Sequence, residues 1–432
     1  MRVHQLLIYR EEEEGGLLHQ MAELVRQREE GRCSTGQWES PLFEFFHQLI
    51  CLAESCGFRG NLWHCYLAHL LVRQENVYSR ICEMQGECSG SIRQAVLHDM
   101  AIYQEFFALD LASWKPEGGE ILDLILEYDR TGDPEIYEPA VSDRICALAK
   151  ALAAAGDPVQ MEALLTEDCR RNGAGMYGLY KAFRIICRGE EAEIHPIVRV
   201  PEVRFRDLVG YELAKKKLRE NTEAFVAGRS ANNCLLFGDA GTGKSSSIKA
   251  LLNEYADRGL RMIELYRYQL KALPQVIAGL RGRNYKFIIY MDDLSFEEFE
   301  TDYKYLKALM EGGLEKLPDN VLIYATSNRR HLIRESFADK EGRRDLLHAS
   351  DTVQEKLSLV YRFGVTIFFE APDPKLFQKI VKSLAERSGV SMSEEELLLA
   401  ANQWELSHGG LSGRTARQFI DDLLGKQGEE ET

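Results

Sequence analysis

The sequence predicts an all-helical N-terminal domain, then a three-layer α/β domain on a parallel sheet, then a small helical unit. Three observations carry this reading. Residues 1–188 space their apolar side chains three and four apart, which is the helical period. Residues 207–370 alternate short apolar runs with amphipathic stretches, the pattern of parallel strands covered by helices on both faces. From 371 to 432 the helical period returns.

The chain has 432 residues, too many for one compact core, and 45% hydrophobic residues give each domain enough to bury. No apolar run reaches the roughly 18 residues a membrane-spanning helix needs. The first ten residues are followed at once by an acidic run at 11–14, which argues against a secretory signal and for a cytoplasmic location. The net charge of −15 disfavours broad nucleic-acid binding, which depends on neutralising phosphates, and leaves room for a local basic patch. All but one of the ten cysteines lie between Cys33 and Cys187, and no pair has the Cys-x-x-Cys spacing of a zinc or redox site. Cys51, Cys56, Cys65 and Cys82 sit among large apolar residues and read as buried or half-buried free thiols.

Within the first domain, residues 43–53, 62–74, 91–109 and 143–155 read as amphipathic helices. Gly132-Asp133-Pro134 and Gly156-Asp157-Pro158 both read as helix starts, with Asp at the N-cap and Pro in the first turn. The recurrence suits stacked helical hairpins or an irregular helical domain. Residues 189–206 read as a linker, because Glu190, Glu191 and Glu193 are followed by Pro196 and Pro201 among β-branched residues. Strands are expected at 233–237, 262–265, 287–291, 321–326 and 365–369, and helices at 376–388, 393–404 and 414–424.

Gly238-Asp239-Ala240-Gly241-Thr242-Gly243-Lys244-Ser245 matches the P-loop pattern, with a predicted strand before it and a helix opening at Ser246. Its glycines let the backbone curl so that successive N–H groups point at phosphate oxygens, and the helix N-terminus adds partial positive charge. Lys244 is expected on the β- and γ-phosphates of ATP, and the Ser245 hydroxyl on Mg²⁺. The apolar run 287–291 ends in Asp292-Asp293, which puts two carboxylates at the carboxyl edge of the sheet. Asp292 is the expected outer ligand of Mg²⁺, and Asp293 the group that polarises the attacking water.

With these motifs, residues 205–419 resemble the AAA+ ATPases. The resemblance implies that the segment Asp207-Leu208-Val209-Gly210-Tyr211 packs against adenine, with Leu208 and Val209 at the base. It implies that Asn328 is the first sensor, helping to place the lytic water. It also implies that Arg362, in Tyr361-Arg362-Phe363-Gly364, is an arginine finger acting on a neighbouring subunit. Arg414 takes the place of the second sensor arginine in the lid, with Arg417 as the competing candidate. The stretches 292–297, 355–364 and 413–419 further resemble one bacterial ATP-binding family, domain of unknown function 815. One position departs from the wider pattern: most AAA+ proteins have Glu where this chain has Asp293, and the shorter side chain suits slow turnover.

These readings imply a homo-oligomer, ring or filament, that binds ATP or ADP. The leading expectation is an ATPase that assembles or remodels a protein partner held by the helical N-terminal domain. A slow nucleotide-gated switch, similar to a helicase loader, is the alternative, and a third is a signalling receptor fused to a switch ATPase. No membrane partner is expected, and nucleic acid is left open rather than indicated.

Overall fold

A computed structural model describes residues 2–10, 15–30, 39–114, 121–130, 132–189, 191–296, 302–311, 316–328, 332 and 359–430. Of the positions singled out above, 11–14, 33, 190, 297 and 355–358 lie outside the described residues. The chain forms two compact units, Met1–Lys181 with Pro196–Arg199, and Ala182–His195 with Val200–Thr432.

The first unit is helical: α1 (Leu17–Glu29), α2 (Glu39–Cys56), α3 (Leu62–Arg73), α4 (Val77–Gln85), α5 (Gly90–Phe107), α6 (Ile121–Leu126), α7 (Pro139–Ala153), α8 (Pro158–Asn172) and α9 (Met176–Leu179). Helix α3 is buried from Leu62 to Val72 except at His64, which is why its sequence is apolar nearly all round rather than on one stripe. Asn61 caps it by accepting from the His64 N–H at 3.1 Å. The buried Asp99 carboxylate on α5 accepts from the backbone N–H groups of Leu7, Ile8 and Tyr9, at 2.9, 2.7 and 2.9 Å. Those three bonds give a buried charge the partners it needs and moor the N-terminal segment.

Gly156-Asp157-Pro158 does start a helix, and the Asp157 side chain accepts from the Gln160 N–H at 2.8 Å. Gly132-Asp133-Pro134 does not, and the next helix begins at Pro139. The N–H groups of Glu135 and Ile136 donate instead to Ser55 O, at 3.0 and 2.9 Å, so the segment is held against the end of α2. Cys56, Cys65 and Cys82 are buried, but Cys51 is exposed beside His47 on the outer face of α2.

The second unit is built on a seven-stranded sheet: β1 (Ala182–Arg188), β2 (Glu191–Pro196), β3 (Cys234–Gly238), β4 (Leu260–Glu264), β5 (Lys286–Met291), β6 (Val321–Ser327) and β7 (Val365–Phe369). Their order across the sheet is β2-β1-β4-β5-β6-β3-β7, and the pairs from β1 to β7 run parallel. The expected linker is therefore partly sheet. Phe183, Ile185 and Ile186 suit an extended strand, and β1 continues the sheet beyond β4 in the register Phe183↔Ile263. The prolines that suggested a linker fall at the end of β2 and after it, where a missing N–H costs no ladder bond.

Helices α10 (Glu212–Val226), α11 (Lys244–Tyr255), α12 (Leu273–Leu280) and α13 (Tyr303–Glu311) accompany the strands. Residues 287–291 of β5 and all of β6 are buried, as strands covered on both faces must be. Helices α14 (Pro374–Ser388), α15 (Glu394–Ser407) and α16 (Gly413–Glu430) close around their own core of Phe377, Val381, Leu397, Phe419 and Ile420. No helix among the described residues is long and apolar enough to cross a membrane.

Candidate functional site

Strands β5, β6 and β3 are neighbours, and all three end at one edge of the sheet. The register Met291↔Ala325 and Phe237↔Ser327 sets Asp292, Thr326 and the loop after Gly238 side by side. Beyond β3 the chain takes the left-handed region at Gly241 and Gly243, with φ of 73° and 92°, before α11 begins at Lys244. Thr242 fixes the loop by donating to Asp239 O at 2.8 Å.

The Lys244 side chain lies under this loop, buried, with Nζ donating to the carbonyls of Gly238 and Asp239 at 2.9 and 2.5 Å. No carboxylate pairs with it among the described residues. Burial pushes its pKa below the ordinary lysine value, against the pull of Asp239, Asp293 and Asp292. A buried ammonium held on two neutral carbonyls suits a polyanion.

Asp292 Oδ1 accepts two hydroxyl hydrogen bonds, from Ser245 at 2.7 Å and from Thr326 at 2.6 Å. Burial alone would raise its pKa, but the bonds from Ser245 and Thr326, with the nearby Tyr290 phenol, outweigh it and hold the carboxyl below its ordinary value. The lowered pKa keeps the group ionised at neutral pH. Asp293 has φ 49°, one of two non-glycine residues with positive φ among those described. Its N–H donates to Thr326 Oγ1 at 2.9 Å, and its Oδ1 accepts from Asn328 Nδ2 at 2.9 Å.

Thr326 thus bonds both aspartates, yet its role is not read from the sequence. The available signal was a hydroxyl at the end of an otherwise apolar buried strand. Lys215 was also missed: it lies in a Lys215-Lys216-Lys217 run that looks like a solvated helix face. In fact it is buried, and Nζ donates to Leu208 O and Glu212 Oε1, both at 2.8 Å.

These groups line a cavity of about 430 Å³, within the usual range for small-molecule sites. Gly241, Thr242, Lys244, Ser245 and Ser246 line it with Asp292, Asp293 and Asn328. Leu208 and Val209 line it as well, with Ile380 and Leu384 of α14, and Val209 packs against the core those two belong to. Arg414 and Arg417 both line it from α16. The α16 start is docked on the loop, since the Gly413 N–H donates to Gly241 O at 2.9 Å. Asp239 turns away from the cavity and accepts from the Ala371 N–H at 2.9 Å. Gly238 and Ala240 are backbone parts of the loop that do not line the cavity. Arg362 does not line it either: Nη2 pairs with Glu311 Oε1 of α13 at 2.7 Å. The cavity size, its mixed polar and apolar lining and the buried ammonium fit a nucleotide.

A family model described as protein of unknown function (DUF815) matches residues 179–427. No curated protein matches the chain. Among solved structures, the chain is similar to the Thermotoga maritima RuvB Holliday junction branch migration motor, at 15% identity and a TM-score of 0.34. That match covers 51% of this chain and 64% of the other, less than two thirds of the RuvB length. It is also similar to the FIGL-1 AAA domain in complex with ADP, at 20% identity and a TM-score of 0.36, covering 52% of this chain and 75% of that one.

Proposed function

The chain belongs to the DUF815 family, and on that premise we propose that it is an AAA+-type ATPase. It binds ATP with Mg²⁺ and hydrolyses it to ADP and phosphate, driving assembly or remodelling of a protein partner held by the helical unit. One observation carries the catalytic part: Ser245 and Asp292, from the loop after β3 and the end of β5, meet at 2.7 Å beside the buried Lys244.

The Ser245 hydroxyl and, through water, Asp292 are the residues that would hold Mg²⁺, whose charge offsets that of the transferring phosphoryl group. The loop N–H groups donate to the phosphate oxygens, and Lys244 exchanges its two carbonyls for the β- and γ-phosphates. Leu208 and Val209 meet the base, with Ile380 and Leu384 excluding water from the other side. Asp293 takes the proton of the attacking water while Asn328 orients its carboxylate. The water oxygen then bonds to the γ-phosphorus as the bond to the ADP oxygen breaks. Arg414 or Arg417 brings the lid cation, and Arg362 serves the site of a neighbouring subunit in a ring or filament.

The Asp293–Asn328 bond favours a second reading, a slow switch. The water-facing carboxylate is one methylene short of Glu and is tied to Asn328, so occupancy rather than turnover would carry the signal. Phosphate release with Asp293→Asn beside wild type tests the proposal. Retained ATP binding with hydrolysis lost supports it, and unchanged hydrolysis removes Asp293 from the mechanism.

A further inference from the structure

The successive carbonyls of Arg206, Asp207 and Leu208 each accept from a cation, the exposed Arg387 or the buried Lys215. Arg387 Nη2 donates to Arg206 O at 2.7 Å and Nη1 to Asp207 O at 2.9 Å, while Lys215 Nζ donates to Leu208 O at 2.8 Å. Arg387 also pairs with the Asp207 carboxylate at 3.4 Å. The two Arg387 contacts span 181 and 180 residues of sequence and join separate elements, while the Lys215 contact fixes the seven-residue lead into α10.

Arg387 lies on α14, one turn beyond Leu384 and two beyond Ile380, which line the same cavity as Leu208 and Val209, and Val209 packs against the core they belong to. Its planar fork therefore ties the backbone just before Leu208 and Val209 to the helix that carries Ile380 and Leu384. Further contacts tie the same segment to α14 and to the residue after β7. A Cβ on Gly210 would lie 2.6 Å from Leu376 Cδ1, and the Tyr211 hydroxyl donates to Glu370 O at 2.9 Å.

We infer that Arg387 and Lys215 are positioning residues for nucleobase binding, clamping the 206–208 backbone between the lid and α10. This rests on the ATP reading above. The clamp makes the base end a fixed slot, so the base adds affinity beyond what the phosphates supply. Without it the walls separate, and the nucleotide is held by the phosphate end alone.

Inorganic tripolyphosphate probes that phosphate end without a base. The experiment is calorimetric titration of ATP and of tripolyphosphate, both with Mg²⁺, into full-length wild type, Arg387→Ala and Lys215→Met. Wild type is expected to bind ATP at least about tenfold more tightly than tripolyphosphate. Both variants should lose most of that ratio and keep their tripolyphosphate affinity. Arg387 is 40% exposed, so its removal leaves no buried charge behind and guards against misfolding of the lysine variant. An unchanged ratio in Arg387→Ala overturns the clamp, as does loss of both ligands together. Wild type that binds neither ligand contradicts the ATP reading itself, a distinct outcome.

Discussion

The Phe369 carbonyl occupies the space where a side chain on Gly238 would begin: a Cβ there would lie 2.0 Å from Phe369 O. The two residues are paired at the end of β3 and β7, and the Asp239 N–H donates to the same oxygen at 3.1 Å. The P-loop therefore leaves the sheet from a point where only glycine fits, and its φ of 134° excludes other residues independently.

Gly238→Ala should accordingly lower stability by about 2–4 kcal/mol, combining overpacking with backbone strain. Thermal unfolding of the empty protein measures it. Gly279→Ala is the matched control, because Gly279 lies within α12 with nothing near its would-be Cβ. That change should be neutral or stabilise by about 0.5–1 kcal/mol. Equal effects at both positions would mean that the β3–β7 contact is looser than described.

Asp293→Asn should bind ATP and fail to hydrolyse it. Asparagine is the clean substitution because it tolerates the left-handed backbone that Asp293 adopts at φ 49°. A loss of activity then reports the carboxylate and not backbone strain. Single-turnover phosphate release checks it, and a wild-type rate would point to another base.

Arg362 pairs with Glu311 and stays out of its own subunit's cavity, so any contribution to hydrolysis must be made in trans. Hydrolysis per subunit should rise with protein concentration as assemblies form. Arg362→Ala should bind ATP normally and hydrolyse it about 10³-fold or more slowly, the scale of an arginine finger. A dilution series with particle mass followed in parallel checks this. A flat rate from a monomer would leave Arg362 as a surface partner of Glu311.

Much of the second unit was legible because its strands are short apolar runs, and a strand buried on both faces cannot be written otherwise. The loop from Gly238 to Ser245 was equally plain, since its glycines, lysine and serine have fixed spacing. Strands β1 and β2 were hidden because Pro196 and Pro201 lie close behind them, and charged residues interleave their apolar ones. Lys215 and Arg387 escaped notice for a different reason. Each bonds backbone carbonyls, which carry no side-chain signature, besides a carboxylate, and Arg387 meets its partners from 180 residues away. Thr326 sits between these cases: its position was read as strand, but its two bonds depend on the β5–β6 register.

The central claim is that the loop around Lys244 holds the phosphates of ATP. Burial keeps the Lys244 pKa below its ordinary 10.5, so the unfolded chain binds the proton more tightly than the folded one. The empty protein should therefore gain stability as pH rises from that lowered value towards 10.5, and Lys244→Met should abolish the gain without unfolding the chain. The most direct measurement is titration calorimetry of ATP with Mg²⁺ into wild type and Lys244→Met at neutral pH. Charge-assisted contacts of about 1.5–3 kcal/mol predict roughly ten- to hundredfold weaker binding by the variant. Equal affinity in the two proteins, or no binding by wild type, would contradict the claim.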